Sequence, residues 1–305
     1  MKHILSANQF NKDDLEKILA RAEVMEKQCK TGKIEKLLEN KIVACIFFEP
    51  STRTRLSFET AALKLGAQVI SAENAMGNSS TYKGETIEDT TRMLCSYADI
   101  IVIRHPKAGT LDLAARVATK PLINAGDGIN QHPSQGLLDV YTIKKEHGRL
   151  NNLNVVFGGD LLNSRTMRAL VPFLRFYEGN TFYFVSPKEL ALPREYRNEL
   201  KEKGISFKEM ENLKEVLPVV DVLYMTRVQK ERFANNADYE KVKNLFILKF
   251  EDLKNLKKDV IIMHALPKVN EIDQQIDTDP RAAYFRQAQN GLYVRMALLL
   301  YVLNL

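Results

Sequence analysis

Short segments that are apolar through their interior, each followed by a segment of helical spacing, constrain this chain more than any other feature. "DIIVIR" at 99–104 and "VVF" at 155–157 leave no polar alternate positions inside them. A strand wet on one face would alternate. These strands therefore need cover on both faces, the condition of a parallel sheet with helices above and below it.

The pattern predicts strands near 41–48, 68–73, 99–104 and 121–125, with helices near 13–29, 53–65, 85–97, 110–118 and 135–148. A second series has strands near 153–158, 181–185, 205–209, 221–226 and 260–265, again with helices between. At 305 residues, and with about 150 residues per domain, the expected fold class is α/β with two domains, each a parallel sheet flanked by helices. The expected boundaries are 1–150 and 151–284, with "RLNNLN" at 149–154 as the linker. The last stretch, about 285–305, reads as a long apolar-faced helix that packs back on the first domain.

Composition removes several function classes. Cys29, Cys45 and Cys95 are three in number, far apart and form no CxxC, so neither a disulfide framework nor a cysteine zinc site is expected, and a reducing cytoplasm fits. "MKHILSANQF" lacks a signal-peptide core, and no apolar run approaches the 18 or so residues that span a bilayer, so no membrane partner is expected. The net charge of +6 comes from lysines interleaved with acids on helical segments. That is a solvated surface rather than a nucleic-acid stripe. Several arginines instead stand at strand ends, where a planar guanidinium suits carboxylate or phosphate.

In open α/β sheets ligands bind beyond the carboxyl ends of the strands. Here those ends carry Glu49 to Arg55, Glu73 to Lys83, Arg104 to Pro106, Gly126 to Gln135, Gly158 to Arg165, Thr226 to Gln229 and His264 to Lys268. In "FFEPSTRTRLSFETA", residues 47–61, hydroxyls and arginines fill a strand-to-helix junction. Two uses are open: a Ser/Thr N-cap beside solvated arginines, or an oxyanion site on unpaired helix N–H groups. Arg55 and Ser57 are expected to pair or cap inside the fold. No GxxxxGK[ST] is present, "FGGD" lacks the GxGxxG spacing, and there is no HExxH or carboxylate cluster. What remains is a donor-rich, cationic site suited to a phosphate-like leaving group and a developing oxyanion.

At this point the motifs match a family. "STRTR" at 51–55, "SSTYKGET" at 79–86, Arg104 in "IRHP", "HPSQGLLD" at 132–139, "SRT" at 164–166, "TRVQKER" at 226–232 and "HALPKVNEI" at 264–272 together resemble the aspartate carbamoyltransferase catalytic chains, in order, from about residue 40 onward. The resemblance implies transfer of the carbamoyl group of carbamoyl phosphate to L-aspartate, giving N-carbamoyl-L-aspartate and phosphate for pyrimidine (UMP) synthesis. It implies that Ser51, Thr52, Arg53 and Thr54 hold phosphate and that Arg104 adds charge near phosphate and carbonyl. His132 would donate to the carbonyl oxygen, Gln135 would orient the amide, and the backbone carbonyls of Leu266 and Pro267 would complete carbamoyl recognition. Arg165 and Arg227 would bind the aspartate carboxylates, supported by Gln229, and Lys83 would reach both substrates. Ser79 and Lys83 would come from a neighbouring chain of a homotrimer. No cofactor and no metal are implied, and regulatory chains remain an open partner.

The chain departs from the family pattern at Ala265, where proline is usual, at Lys268, where arginine is usual, and at Tyr82 in the lysine-bearing loop. These put the local turn, any ion pair of that arginine and loop closure in question. The nearest rival, ornithine carbamoyltransferase, would show an SMG-type loop and HCLP where this chain has "TRVQ" and "HALP". A non-catalytic homologue would have lost some of Arg53, Thr54, Lys83, Arg104 or His132, and all are present.

Overall fold

The computed structural model describes residues 2–75, 84–230, 233 and 235–305. Its elements fall into two compact units. Met1–Tyr141, Arg168–Phe173 and Gln289–Leu305 form the first, and Thr142–Met167 with Leu174–Ala288 form the second.

In chain order the first series is α1 (Lys12–Thr31), β1 (Ile42–Phe47), α2 (Thr52–Lys64), β2 (Gln68–Glu73), α3 (Ile87–Tyr97), β3 (Ile100–His105), α4 (Thr110–Val117), β4 (Leu122–Asp127) and α5 (Pro133–His147). The second is β5 (Asn154–Gly159), α6 (Thr166–Leu174), β6 (Thr181–Val185), α7 (Arg194–Glu202), β7 (Phe207–Met210), β8 (Val222–Thr226), α8 (Asn236–Val242), β9 (Ile261–His264) and α9 (Tyr284–Tyr301). All ladders are parallel, in a four-stranded sheet of order β2-β1-β3-β4 and a five-stranded sheet of order β7-β6-β5-β8-β9. This is the α/β architecture that the apolar strands predict.

Local chemistry sets the helix ends. Asn11 accepts from the Asp14 N–H to start α1, Asp13 and Asp14 sit in its first turn, and Gly32 ends it at φ 72°. Thr86 caps α3 through the Asp89 N–H at 3.1 Å. The strands are buried where they are central. β3 is buried from Ile100 to Ile103, whereas β2, at the edge of its sheet, is largely exposed. Ala44, Ile101, Ile103 and Leu122 anchor the core of the first unit, and Val156, Leu223, Met225 and Ile262 that of the second.

One close approach positions the start of α5. A Cβ at Gly136 would meet the Ala169 carbonyl oxygen at 2.1 Å and Phe173 at 2.9 Å. Only glycine lets α5 lie this close to the Arg168–Phe173 segment. Two residues at the head of the same helix, Ser134 and Gln135, are consequently buried.

Candidate active site

In the four-stranded sheet the order reverses between β1 and β3, which makes their carboxyl ends a topological switch point. Phe47 and Arg104 are register partners there. Ser51 is the N-cap residue of α2, but its hydroxyl makes no capping hydrogen bond. Its backbone N–H donates instead to Glu73 at 3.0 Å. The Ser51 hydroxyl therefore does not cap the first turn of α2, where the N–H groups carry the positive end of the helix dipole.

Thr52 and Arg53 are exposed and Thr54 is buried. Arg55, two residues beyond Arg53, behaves differently: its Nη1 lies 3.0 Å from Glu59 and its Nη2 3.1 Å from Glu73. The Ser57 hydroxyl donates back to the Arg53 and Thr54 carbonyls at 2.6 and 3.0 Å. Arg55 and Ser57 thus act inside the fold, as expected of them. Arg104 ends β3 with its Nε 2.6 Å from Glu49 Oε1, just past β1. The charge-assisted bond fixes that side chain at the switch point.

β4 delivers the next pair. The Asp127 carboxylate is buried and accepts from the N–H groups of Gly109 (3.0 Å) and Gln131 (2.8 Å) and from the side-chain amides of Asn124 (3.2 Å) and Asn130 (3.1 Å). It therefore clamps the loop that leads into His132. His132 is buried, with Nδ1 3.3 Å from the Ser134 hydroxyl, and its carbonyl accepts from the Gln135 N–H at 2.9 Å. Gln135 donates from Nε2 to Asp139 at 2.8 Å. His105 is structural: its Nδ1 accepts from the Lys107 N–H at 3.1 Å, its ring packs 5.0 Å from Phe48, and burial lowers its pKa.

In the five-stranded sheet the order reverses between β5 and β8, with Gly159 opposite Thr226. A Cβ at Gly159 would lie 2.3 Å from the Thr226 carbonyl oxygen, and φ is 114°, so the position requires glycine. The following residue, Asp160, is buried and accepts from the Asn163 N–H at 2.9 Å and the Gln229 N–H at 3.3 Å. Burial pushes the Asp160 carboxyl up; these donors and the Arg227 charge pull it back without cancelling the rise. Gln229 Nε2 in turn donates to the Asn163 carbonyl at 2.9 Å. Arg165, Arg227 and Gln229 are thus carried by two loops that Asp160 ties together.

β9 adds Leu266 and Pro267. Leu266 has φ 56°, and the peptide bond that follows is cis. His264 holds this turn, its Nδ1 accepting from the Leu266 N–H at 2.8 Å and its Nε2 lying 2.7 Å from Glu271 Oε1. Burial alone would raise the Glu271 carboxyl, but the hydrogen bond from His264 and the Val269 N–H outweigh that and hold it below its ordinary value. At the departure Lys268, an ion pair persists: Nζ lies 3.1 Å from Asp277, which also accepts from the Tyr284 hydroxyl. Ala265 is half-buried beside it.

The structure therefore brings Ser51, Thr52, Arg53, Thr54, Arg104, His132 and Gln135 to neighbouring strand ends of one sheet, and Arg165, Arg227, Gln229, Leu266 and Pro267 to neighbouring strand ends of the other. Ser79, Tyr82 and Lys83 lie outside the described residues. Sequence reasoning gave no role to Glu49, Asp139, Asp160 or Glu271, the carboxylates that orient the others. Glu49 and Asp160 stood among the strand-end residues, but nothing local marks a carboxylate's partner. Among the described residues, no group of three or more His, Cys, Asp or Glu could hold a metal, and no helix is long and apolar enough to cross a membrane.

Residues 2–145 match the family model "Aspartate/ornithine carbamoyltransferase, carbamoyl-P binding domain", and residues 151–302 match the corresponding "Asp/Orn binding domain". The chain is 49% identical to the aspartate carbamoyltransferase catalytic subunit of Methanocaldococcus jannaschii over 98% of its own length and 97% of that subunit. It is 48% identical to the multifunctional protein pyr1-3 of Dictyostelium discoideum over 98% of its own length, and spans 13% of that much longer relative. The crystal structure of the Trypanosoma cruzi aspartate transcarbamoylase in complex with carbamoyl phosphate and aspartate superposes with a TM-score of 0.91 at 36% identity, covering 98% of this chain and 95% of that one. With both family models matched in order and near-complete relatives at this identity, the chain belongs to the aspartate/ornithine carbamoyltransferase family.

Proposed function

We propose that the chain transfers the carbamoyl group of carbamoyl phosphate to the α-amino group of L-aspartate, the step that commits carbon and nitrogen to UMP. The amine attacks the carbamoyl carbon, the bond from that carbon to the phosphate oxygen breaks, and the proton lost by the amine leaves with phosphate or solvent. The observation that carries this reading is the α2 N-terminus, free of a Ser51 side-chain cap, beside Arg53 and near the Glu49-held Arg104. Such a site neutralises a leaving phosphate without a cofactor.

Roles follow from chemistry. Ser51, Thr52, Arg53 and Thr54 hold phosphate; Arg104 and His132 stabilise the carbonyl oxygen as charge develops; Gln135 and the carbonyls of Leu266 and Pro267 take the amide. Arg165 and Arg227 take the two carboxylates of aspartate, and Gln229 supports them. Residues 1–150 serve as the carbamoyl phosphate domain and 151–284 as the aspartate domain, with 285–305 belonging to the first. Grouping of Gln289–Leu305 with the first unit supports that last assignment.

Aspartate is favoured over ornithine because Arg227 suits a second carboxylate and repels an ammonium group. Purified protein given carbamoyl phosphate with aspartate or ornithine in parallel should form only the aspartate product. Citrulline as the main product would replace this reading with the ornithine one.

The working form is a cytoplasmic homotrimer in which Ser79 and Lys83 complete a neighbour's site. Support comes from the exposed Leu56 and Leu63 on α2 and Ile70 on the edge strand β2, apolar groups that an interface would cover. Sedimentation at micromolar concentration tests it: a monomer there would remove the trimer.

A further inference from the structure

Arg295, on α9, is only 4% exposed, and its Nε is buried without a hydrogen-bond partner. A charge so placed must be answered by something nearby. Two groups answer it. The Phe58 ring of α2 lies 5.2 Å from the guanidinium carbon, within cation–π range. The Asp139 carboxylate of α5 supplies the opposing charge. Asp139 is itself fully buried and accepts the Gln135 Nε2 hydrogen bond at 2.8 Å, one turn back along α5.

The packing around Arg295 is specific. A Cβ at Gly291 would strike Arg295 Nη1 at 2.2 Å and approach Leu138 at 3.2 Å. The missing side chain at 291 thus makes room for the guanidinium beside α5. Burial lowers the Arg295 pKa to about 10, and the Asp139 charge opposes that fall. The group stays cationic at neutral pH.

We propose that Arg295 is a positioning residue of the carbamoyl phosphate site: through Asp139 it fixes the Gln135 carboxamide, and through Phe58 it braces α2. With Arg295 opposite, Asp139 remains an acceptor and holds one hydrogen of the Gln135 amide in a set direction. Removing Arg295 takes away a cation that favours the charged form of Asp139 and so weakens the hold of that carboxylate on Gln135. The inference rests on the assignment of Gln135 to the carbamoyl group.

The test is steady-state kinetics of the intact enzyme with carbamoyl phosphate and aspartate. Arg295→Met should raise the KM for carbamoyl phosphate about tenfold, the loss of one oriented hydrogen bond, and change the KM for aspartate less than about twofold. Arg295→Lys keeps the charge and should recover most of that loss. Asp139→Asn leaves Arg295 unopposed and should also weaken carbamoyl phosphate. Arg295→Met with Asp139→Asn removes both charges while leaving an amide oxygen to accept from Gln135, and should outperform Asp139→Asn alone.

A folded Arg295→Met enzyme with unchanged carbamoyl phosphate kinetics overturns the inference, as does Arg295→Lys no better than Arg295→Met. Should Arg295→Met fail to fold, the comparison of Asp139→Asn with the double variant decides, and a double variant no better than the single overturns it. Gln135→Ala measured alongside separates the two levels. If it leaves carbamoyl phosphate kinetics intact, the Gln135 assignment fails and the inference with it; if it weakens them while Arg295→Met does not, only the inference fails.

Discussion

Glu49 Oε1 and Arg104 Nε stand 2.6 Å apart and join the carboxyl ends of β1 and β3 at the switch point of their sheet. The bond orients Arg104 before substrate arrives, and preorganised charge is worth most at a reacting centre. Glu49→Ala should therefore lower turnover about tenfold, with Glu49→Gln intermediate because its carbonyl still accepts a weaker, neutral hydrogen bond. Turnover unchanged in Glu49→Ala would mean that Arg104 is held by something else.

Arg53 is exposed in the first turn of α2, whereas Arg55 is tied to Glu59 and Glu73. Arg53→Ala should cost about 10²–10³ in turnover, the usual scale for one transition-state-stabilising donor. Arg55→Ala should act on thermal stability instead. Near-normal turnover of Arg53→Ala at saturating substrates would remove it from the phosphate site.

Arg227 acts on the Asp160 carboxylate electrostatically, and both belong to the loops after β5 and β8. Arg227→Ala should raise the KM for aspartate at least tenfold, a lost charge-assisted contact, and leave that for carbamoyl phosphate nearly unchanged. Equal weakening of both substrates would undo the carboxylate assignment.

Glu271 is held below its ordinary carboxyl value against burial, mainly by His264. A depressed folded pKa gives stability that is fully present above the unfolded value and lost as pH falls through the folded one. Glu271→Gln should thus be less stable than the parent by about 2 kcal/mol at pH 7, and the gap should close on acidification below the usual carboxylate range. Urea unfolding at several pH values measures it, and a pH-independent gap would show that the charge is not what stabilises.

If Lys83 completes a neighbour's site in a trimer, as proposed, Lys83→Ala and His132→Ala chains, each nearly inactive alone, should regain activity when dissociated and reassembled together, because some interfaces of a mixed trimer would keep both residues. Verified hybrids as inactive as their parents would leave the site within one chain.

The central strands were legible because burial on both faces leaves a local trace: each predicted strand lies within a few residues of an observed one, as with 99–104 and Ile100–His105. The strand orders were not. That β1 pairs with β3 rather than β4 depends on crossovers far apart in the chain. The Ser51–Arg55 junction was legible as a helix start and Arg55 was expected to pair inside the fold, but its partners Glu59 and Glu73 were not legible, since Glu73 lies on another strand. Asp160 and Glu49 escaped for a related reason. A carboxylate's partner is chosen in space, and residues 55 or 69 positions apart leave no spacing to read.

The assembly of α9 with the first unit carries a consequence of timing. The Tyr301 hydroxyl donates to Asp14 at 2.6 Å, and Cys29 meets Met296 at 3.6 Å, so α1 is completed by residues made almost 270 or more positions later. During synthesis the second unit has all of its residues before the first has its last helix. Within this chain, the portion that emerges earlier from the ribosome is thus the one that closes last, and until α9 arrives the face of α1 that it meets goes without that cover.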